Sequence, residues 1–90
     1  MTKKEQFEKY LFNSAKINRI QKEIDQVLVY QHVVDDKIDA AEKAGANMSE
    51  IDSLCCEYNE LEEKRIELSL RKNKIEKEML LFELDMIKSE

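Results

Sequence analysis

The chain has no proline and no tryptophan, a single glycine, a single histidine and two cysteines. Each scarcity excludes something. Without proline, and with Gly45 at the midpoint as the only glycine, nothing interrupts a helix for some forty residues on either side. A chain with one glycine has no room for a glycine-rich phosphate loop. His32 and Asp36 are four apart and would share a helix face, but no third ligand accompanies them, so no metal site and no cofactor is expected. Glu-x-x-His pairs of the di-iron kind are also missing. Serines 14, 49, 53, 69 and 89 have no plausible base, and Asp35-Asp36 and Glu62-Glu63 read as solvated faces, so the chain is not expected to be an enzyme. Cys55 and Cys56 are adjacent. Neighbours on a helix point about 100° apart, so they are expected to remain thiols, half-buried near the turn with Cys56 the more exposed. No apolar run follows Met1-Thr2-Lys3-Lys4, which predicts neither a signal peptide nor a membrane span, and a cytoplasmic setting.

What the sequence has is charge and regular apolar spacing: 39% charged and 42% hydrophobic residues, with a net charge of −5. That composition is typical of long helices and coiled coils, and it is too regular in its apolar spacing for disorder. The acidic balance disfavours a nucleic-acid surface. The basic run Arg71-Lys72-Asn73-Lys74, with Lys77 beyond, is interleaved with Glu67, Glu76 and Glu78 and reads as intrahelical pairs. A nucleic-acid accessory role rests on that run alone.

Ninety residues make one small domain at most. The predicted fold is all-α, a single antiparallel two-helix hairpin over residues 1–90, with a helix over about 3–44, a turn at 45–47 and a helix over about 48–88. The turn has a mechanism. Gly45 can take the left-handed conformation that ends a helix, and Lys43 just before it suits the negative end of the dipole. Asn47 is a suitable N-cap, with Glu50 at the capping-box position and Ala46 and Ile51 at the staple positions. Ser49 with Asp52 is a competing start two residues on.

The two arms carry matching seams. Ile17, Ile20, Ile24, Val27, Val34, Ile38 and Ala41 step by three and four in the first arm, with Gln31 the polar member and Asn13 and Tyr10 continuing the register. The second arm repeats the pattern through Ile51, Leu54, Tyr58, Leu61, Arg65, Leu68, Lys72, Ile75, Met79, Phe82 and Met86. Folding back at Ala46 places residues whose numbers sum to about 92 opposite each other, and every seam position then meets a seam position. Ile24 faces Leu68, and Tyr10 faces Phe82. Gln31, Arg65 and Lys72 are the polar seam residues. Such residues fix register at some cost in stability, or lay a long stem on the seam with the head in water.

Apolar residues beyond the seam are the functional signal. Ile66, Leu70, Leu80, Leu84 and Ile87 form a second stripe on the back of the second arm, and Leu81 widens it. In the hairpin register this segment lies beside Phe7, Leu11 and Phe12, which gathers an apolar cluster at the open end. A smaller patch comprises Val29, Tyr30 and Val33. The hairpin is therefore expected to pair into a four-helix bundle as a homodimer, or to be covered by a partner. The predicted role is protein–protein interaction as an adaptor, small chaperone or inhibitor. The alternative is a self-assembling coiled-coil scaffold.

Overall fold

The computed structural model describes residues 2–89. Two helices account for nearly all of them: α1 over Lys3–Lys43 and α2 over Met48–Ser89. They pack antiparallel into a rod of 66 × 15 × 15 Å. The length is that of one helix, since forty-odd residues at about 1.5 Å each rise about 60 Å. Among the described residues there is no strand, and no helix is long and apolar enough to cross a membrane.

The turn forms as the residue types require. Gly45 has φ +72°. Around it the Ala46 amide donates to the Ala41 carbonyl at 2.9 Å and the Gly45 amide to the Glu42 carbonyl at 3.2 Å. This is the Schellman pattern, which satisfies carbonyls that the end of α1 leaves free. Nothing lies within 4 Å of where a Cβ on Gly45 would sit. The requirement for glycine is therefore conformational and not a matter of space. Two residues on, the Glu50 amide donates to Asn47 Oδ1 at 2.9 Å, so Asn47 caps α2 and the alternative start at Ser49 is not used. Only this half of the capping box is present; the returning bond from the Glu50 side chain to the Asn47 amide is not formed.

At the other end, Thr2 caps α1. Its hydroxyl oxygen accepts from the Glu5 amide at 3.2 Å. The Thr2-Lys3-Lys4-Glu5 spacing carries this signal in the sequence, outside the apolar periodicity that marks the arms.

The core is one thin seam. Ile24, Val27, Val34 and Leu68 are its buried apolar side chains, with Ile20 and Leu61 packed against the first two and Leu68. Half-buried residues continue the same register from Tyr10 and Phe82 at the open end to Ala41 and Ile51 at the turn. Two expectations are corrected. Met86 is exposed: its register partner on α1 is the polar Gln6, and it lines an open groove with Lys3 and Phe7, so the apolar seam ends one layer earlier, at Phe82. Cys55 and Cys56 are both exposed free thiols, because both lie off the seam and a two-helix rod has no second layer to cover them.

Burial is correspondingly low. A compact monomer of this size exposes roughly 5,500 Å², whereas the rod exposes 7210 Å². No side chain among the described residues is fully enclosed.

Candidate interaction surface

Two shallow grooves flank the last layer of the seam, where Tyr10 of α1 meets Phe82 of α2. The first, of about 250 Å³, is lined by Lys3, Phe7, Tyr10, Phe82, Glu83 and Met86. The second, of about 270 Å³, includes Lys9, Asn13, Glu78, Leu81 and Asp85 together with the same Tyr10 and Phe82. At about 100° per residue, the unshared lining residues fall on opposite sides of Tyr10 and Phe82, so one groove lies on each broad side of the rod.

Seven of the nine apolar residues singled out in the sequence surround this end; Ile66 and Leu70 lie further along α2, roughly 24 and 18 Å before Phe82 at about 1.5 Å per residue. On the side of the first groove, Phe7 and Leu11 lie one turn apart on α1. Leu80 lines a neighbouring depression with Ile17, Glu76, Met79 and Glu83, and Ile87 lies one turn beyond Glu83. Ile66 is on the same flank of α2, a turn past Glu62. On the opposite side are Leu81 and Phe12, whose ring has the Lys16 ammonium 4.6 Å from its centroid. Such a contact contributes about 0.5–1 kcal/mol at an exposed site. Leu70 and Leu84 lie along the outer edge of α2. All nine are exposed, with Phe7 at 62%, Leu80 at 65% and Ile87 at 70%. The smaller patch, Val29, Tyr30 and Val33, is also exposed, but it lies roughly 30 Å further along α1, given about 1.5 Å per residue. It is separate from the open end. Leu28, beside that smaller patch, is exposed as well, as are Met48 at the turn and Met86 at the open end, neither of which the apolar excess in the sequence marks.

The polar seam residues bind across the helices. Gln31 is 5% exposed and its Nε2 donates to Glu62 Oε2 at 2.7 Å. Arg65 grips the same carboxylate from within α2, with Nε at 3.2 Å from Oε2 and Nη2 on Oε1. Lys72 Nζ reaches back across the seam to Gln21 Oε1 at 2.7 Å and lies 3.6 Å from Glu76. The heads of Arg65 and Lys72 thus make specific bonds instead of only reaching water. Glu62, one position beyond the Leu61 expected opposite Gln31, is what satisfies the buried amide.

The Arg65 hydrogen bonds, and then the one from Gln31, hold the Glu62 carboxyl at about 2, well below its ordinary 4.5, against a small opposing effect of burial. Glu62 therefore adds stability that is complete above pH 4.5 and is lost as pH falls through about 2. Thermal melts of the wild type and Glu62→Gln across that range measure it. The wild type is expected to lose the more stability on acidification, and parallel curves would show that the carboxylate contributes nothing.

Among the described residues no cluster of His, Cys, Asp and Glu could hold a metal ion, and His32 is exposed on α1 in a groove with Leu28, Gln31, Asp35 and Tyr58. Fold and surface together define an all-α helical hairpin with an apolar open end. Compared with known proteins, the chain matches no family model, and neither a curated protein nor a solved structure is significantly similar to it.

Proposed function

We propose that the chain is a non-enzymatic interaction protein that uses the open end of the hairpin to hold another protein, as an adaptor, small chaperone or inhibitor would. The observation that carries this reading is the exposure of Phe7, Leu11, Phe12, Leu80, Leu81, Leu84 and Ile87 around one end of a rod whose own seam is already filled. Contiguous apolar surface of that kind marks contact sites on soluble proteins. A reducing setting such as the cytoplasm suits the two free, exposed thiols.

A second reading, self-assembly, is favoured by the stripe on α2. Ile66, Leu70, Leu80, Leu84 and Ile87 keep the three-and-four spacing of a coiled-coil seam, and two hairpins joined there would form a four-helix homodimer. Asn73 and Lys77 occupy the middle of that stripe and weaken it. Both readings fail if a chain with charged residues at Leu80, Leu84 and Ile87 keeps every association of the wild type.

A further inference from the structure

The two flanks of the seam differ in charge. On the side of Lys9 and Glu78, opposite charges stand across from each other along the rod: Lys9 from Asp85, Lys16 from Glu78, Glu23 from Arg71 and Lys37 from Glu57. The residues are matched in register without closing to ion-pair distance, since the two ion pairs within 4 Å among the described residues both lie within α2. On the other side no such matching exists. Phe7 stands across from Glu83, Ser14 from Glu76, Leu28 from Glu62 and Asp35 from Cys55.

That second flank is acidic along its length. α1 contributes Asp25, Asp35, Asp39 and Glu42, and α2 contributes Asp52, Glu62, Glu76 and Glu83. The seam cations Arg65 and Lys72 lean onto Glu62 and Glu76. Asp35, Asp39, Glu42, Asp52 and Glu83 have no cation within 4 Å among the described residues. Lys3 lines the groove beside Glu83 but stays beyond that distance; the basic residues on the flank itself are Lys4 and the single histidine, His32, which lines a groove with Asp35. The same flank carries Phe7, Leu11, Leu28, Ile66, Leu80 and Ile87, all exposed.

We propose that this flank is the docking face for a cationic amphipathic helix of another protein, laid in the trough between α1 and α2. The proposal rests on the interaction reading above and adds the chemistry of the partner. Apolar side chains of the incoming helix, spaced by three and four, would pack on Phe7, Leu11, Leu80 and Ile87. Its Lys and Arg residues would meet Glu83, Asp35 and their neighbours, which the hairpin leaves without partners. A second copy of this chain would bring like charges together along the same face. Nucleic acid and anionic lipid would be repelled in the same way.

The test is fluorescence anisotropy of the full chain with two labelled probes. One is a synthetic amphipathic helix of leucine and lysine; the other has glutamate in place of every lysine. The lysine helix should saturate at one per chain, and its dissociation constant should rise about tenfold or more between about 0.05 and 0.5 M salt. Asp35→Lys with Glu83→Lys should weaken it about tenfold or more, while Glu60→Lys with Glu67→Lys, an equal change in net charge on the opposite flank, should change it by less than about twofold. All four carboxylates are exposed and outside the matched pairs, and circular dichroism checks that both variants remain helical. Equal losses in the two variants, or equal binding of the glutamate helix, overturn the proposal. If Leu80→Glu with Leu84→Lys and Ile87→Glu then abolishes binding of both probes, the interaction reading survives without the charge preference. If neither probe binds and that triple variant dissolves a wild-type dimer, a second copy is the occupant and the proposal is wrong.

Discussion

Replacing Leu80, Leu84 and Ile87 together, by Glu, Lys and Glu, is expected to abolish the association that the wild-type chain makes, while its helical content stays the same. The three side chains lie on the back and flank of α2, whose front is occupied by Met79 and Phe82 in the seam. Each is 45–70% exposed, so about half or more of its burial energy is still unrealised. Complete burial of a Leu or Ile contributes roughly 1.5–3 kcal/mol, so about 1 kcal/mol or more remains available at each position. Losing roughly 3 kcal/mol weakens binding on the order of a hundredfold, before the cost of burying the new charges. Because Glu and Lys are good helix formers and none of the three sites is buried in the seam, the hairpin's own stability should change little. The checks are a melting curve and a binding isotherm on the same preparation. A variant that melts early would show that these residues belong to the fold and not to the contact.

Ile24→Ala and Leu68→Ala should each cost about 2–5 kcal/mol, because each removes a side chain from the most buried part of a thin core. Leu68 is 3% and Ile24 7% exposed, and both belong to the same cluster with Val27. A two-helix rod of this size has little stability to spare, so either change alone is expected to leave a substantial unfolded fraction at room temperature. The pair also tests register. If the two residues face each other, the double variant should be less destabilised than the sum of the singles, since the second truncation removes contacts already lost. Denaturant titrations of the four proteins give the coupling, with Glu42→Ala as a surface control. Strict additivity, or an equal effect from Glu42→Ala, would put Ile24 and Leu68 out of contact.

The fold was legible because one residue type and one period carry it. A single glycine with Asn47 after it marks the turn, and the three-and-four spacing marks both arms. The requirement that both seams be used at once sets the register, and Ile24, Val27 and Leu68 are buried where that register puts them. Less was legible where side chains choose among neighbours. Gln31 was expected opposite Leu61, yet a buried amide needs a hydrogen-bond partner and finds it one residue on, at Glu62. Met86 keeps the spacing but meets the polar Gln6 and an open groove instead of an apolar partner, and Cys55 and Cys56 are exposed because they lie off the seam of a two-helix rod. The apolar open end was visible as an excess over what a seam uses. The charge difference between the flanks was present in the sequence too. It emerges only when residues are compared across the hairpin, and reading each arm separately conceals it.

The most direct test is hydroxyl-radical footprinting of the full chain, alone and at several concentrations, with residue-level modification rates. Leu80, Ile87 and Phe7 should be modified much faster than Leu68 and Ile24, and the ratio should hold on dilution and fall only when a partner is added. If Leu80 and Ile87 are instead as protected as Leu68 at every concentration, the chain already covers them itself. The open end would then not be a surface waiting for a partner.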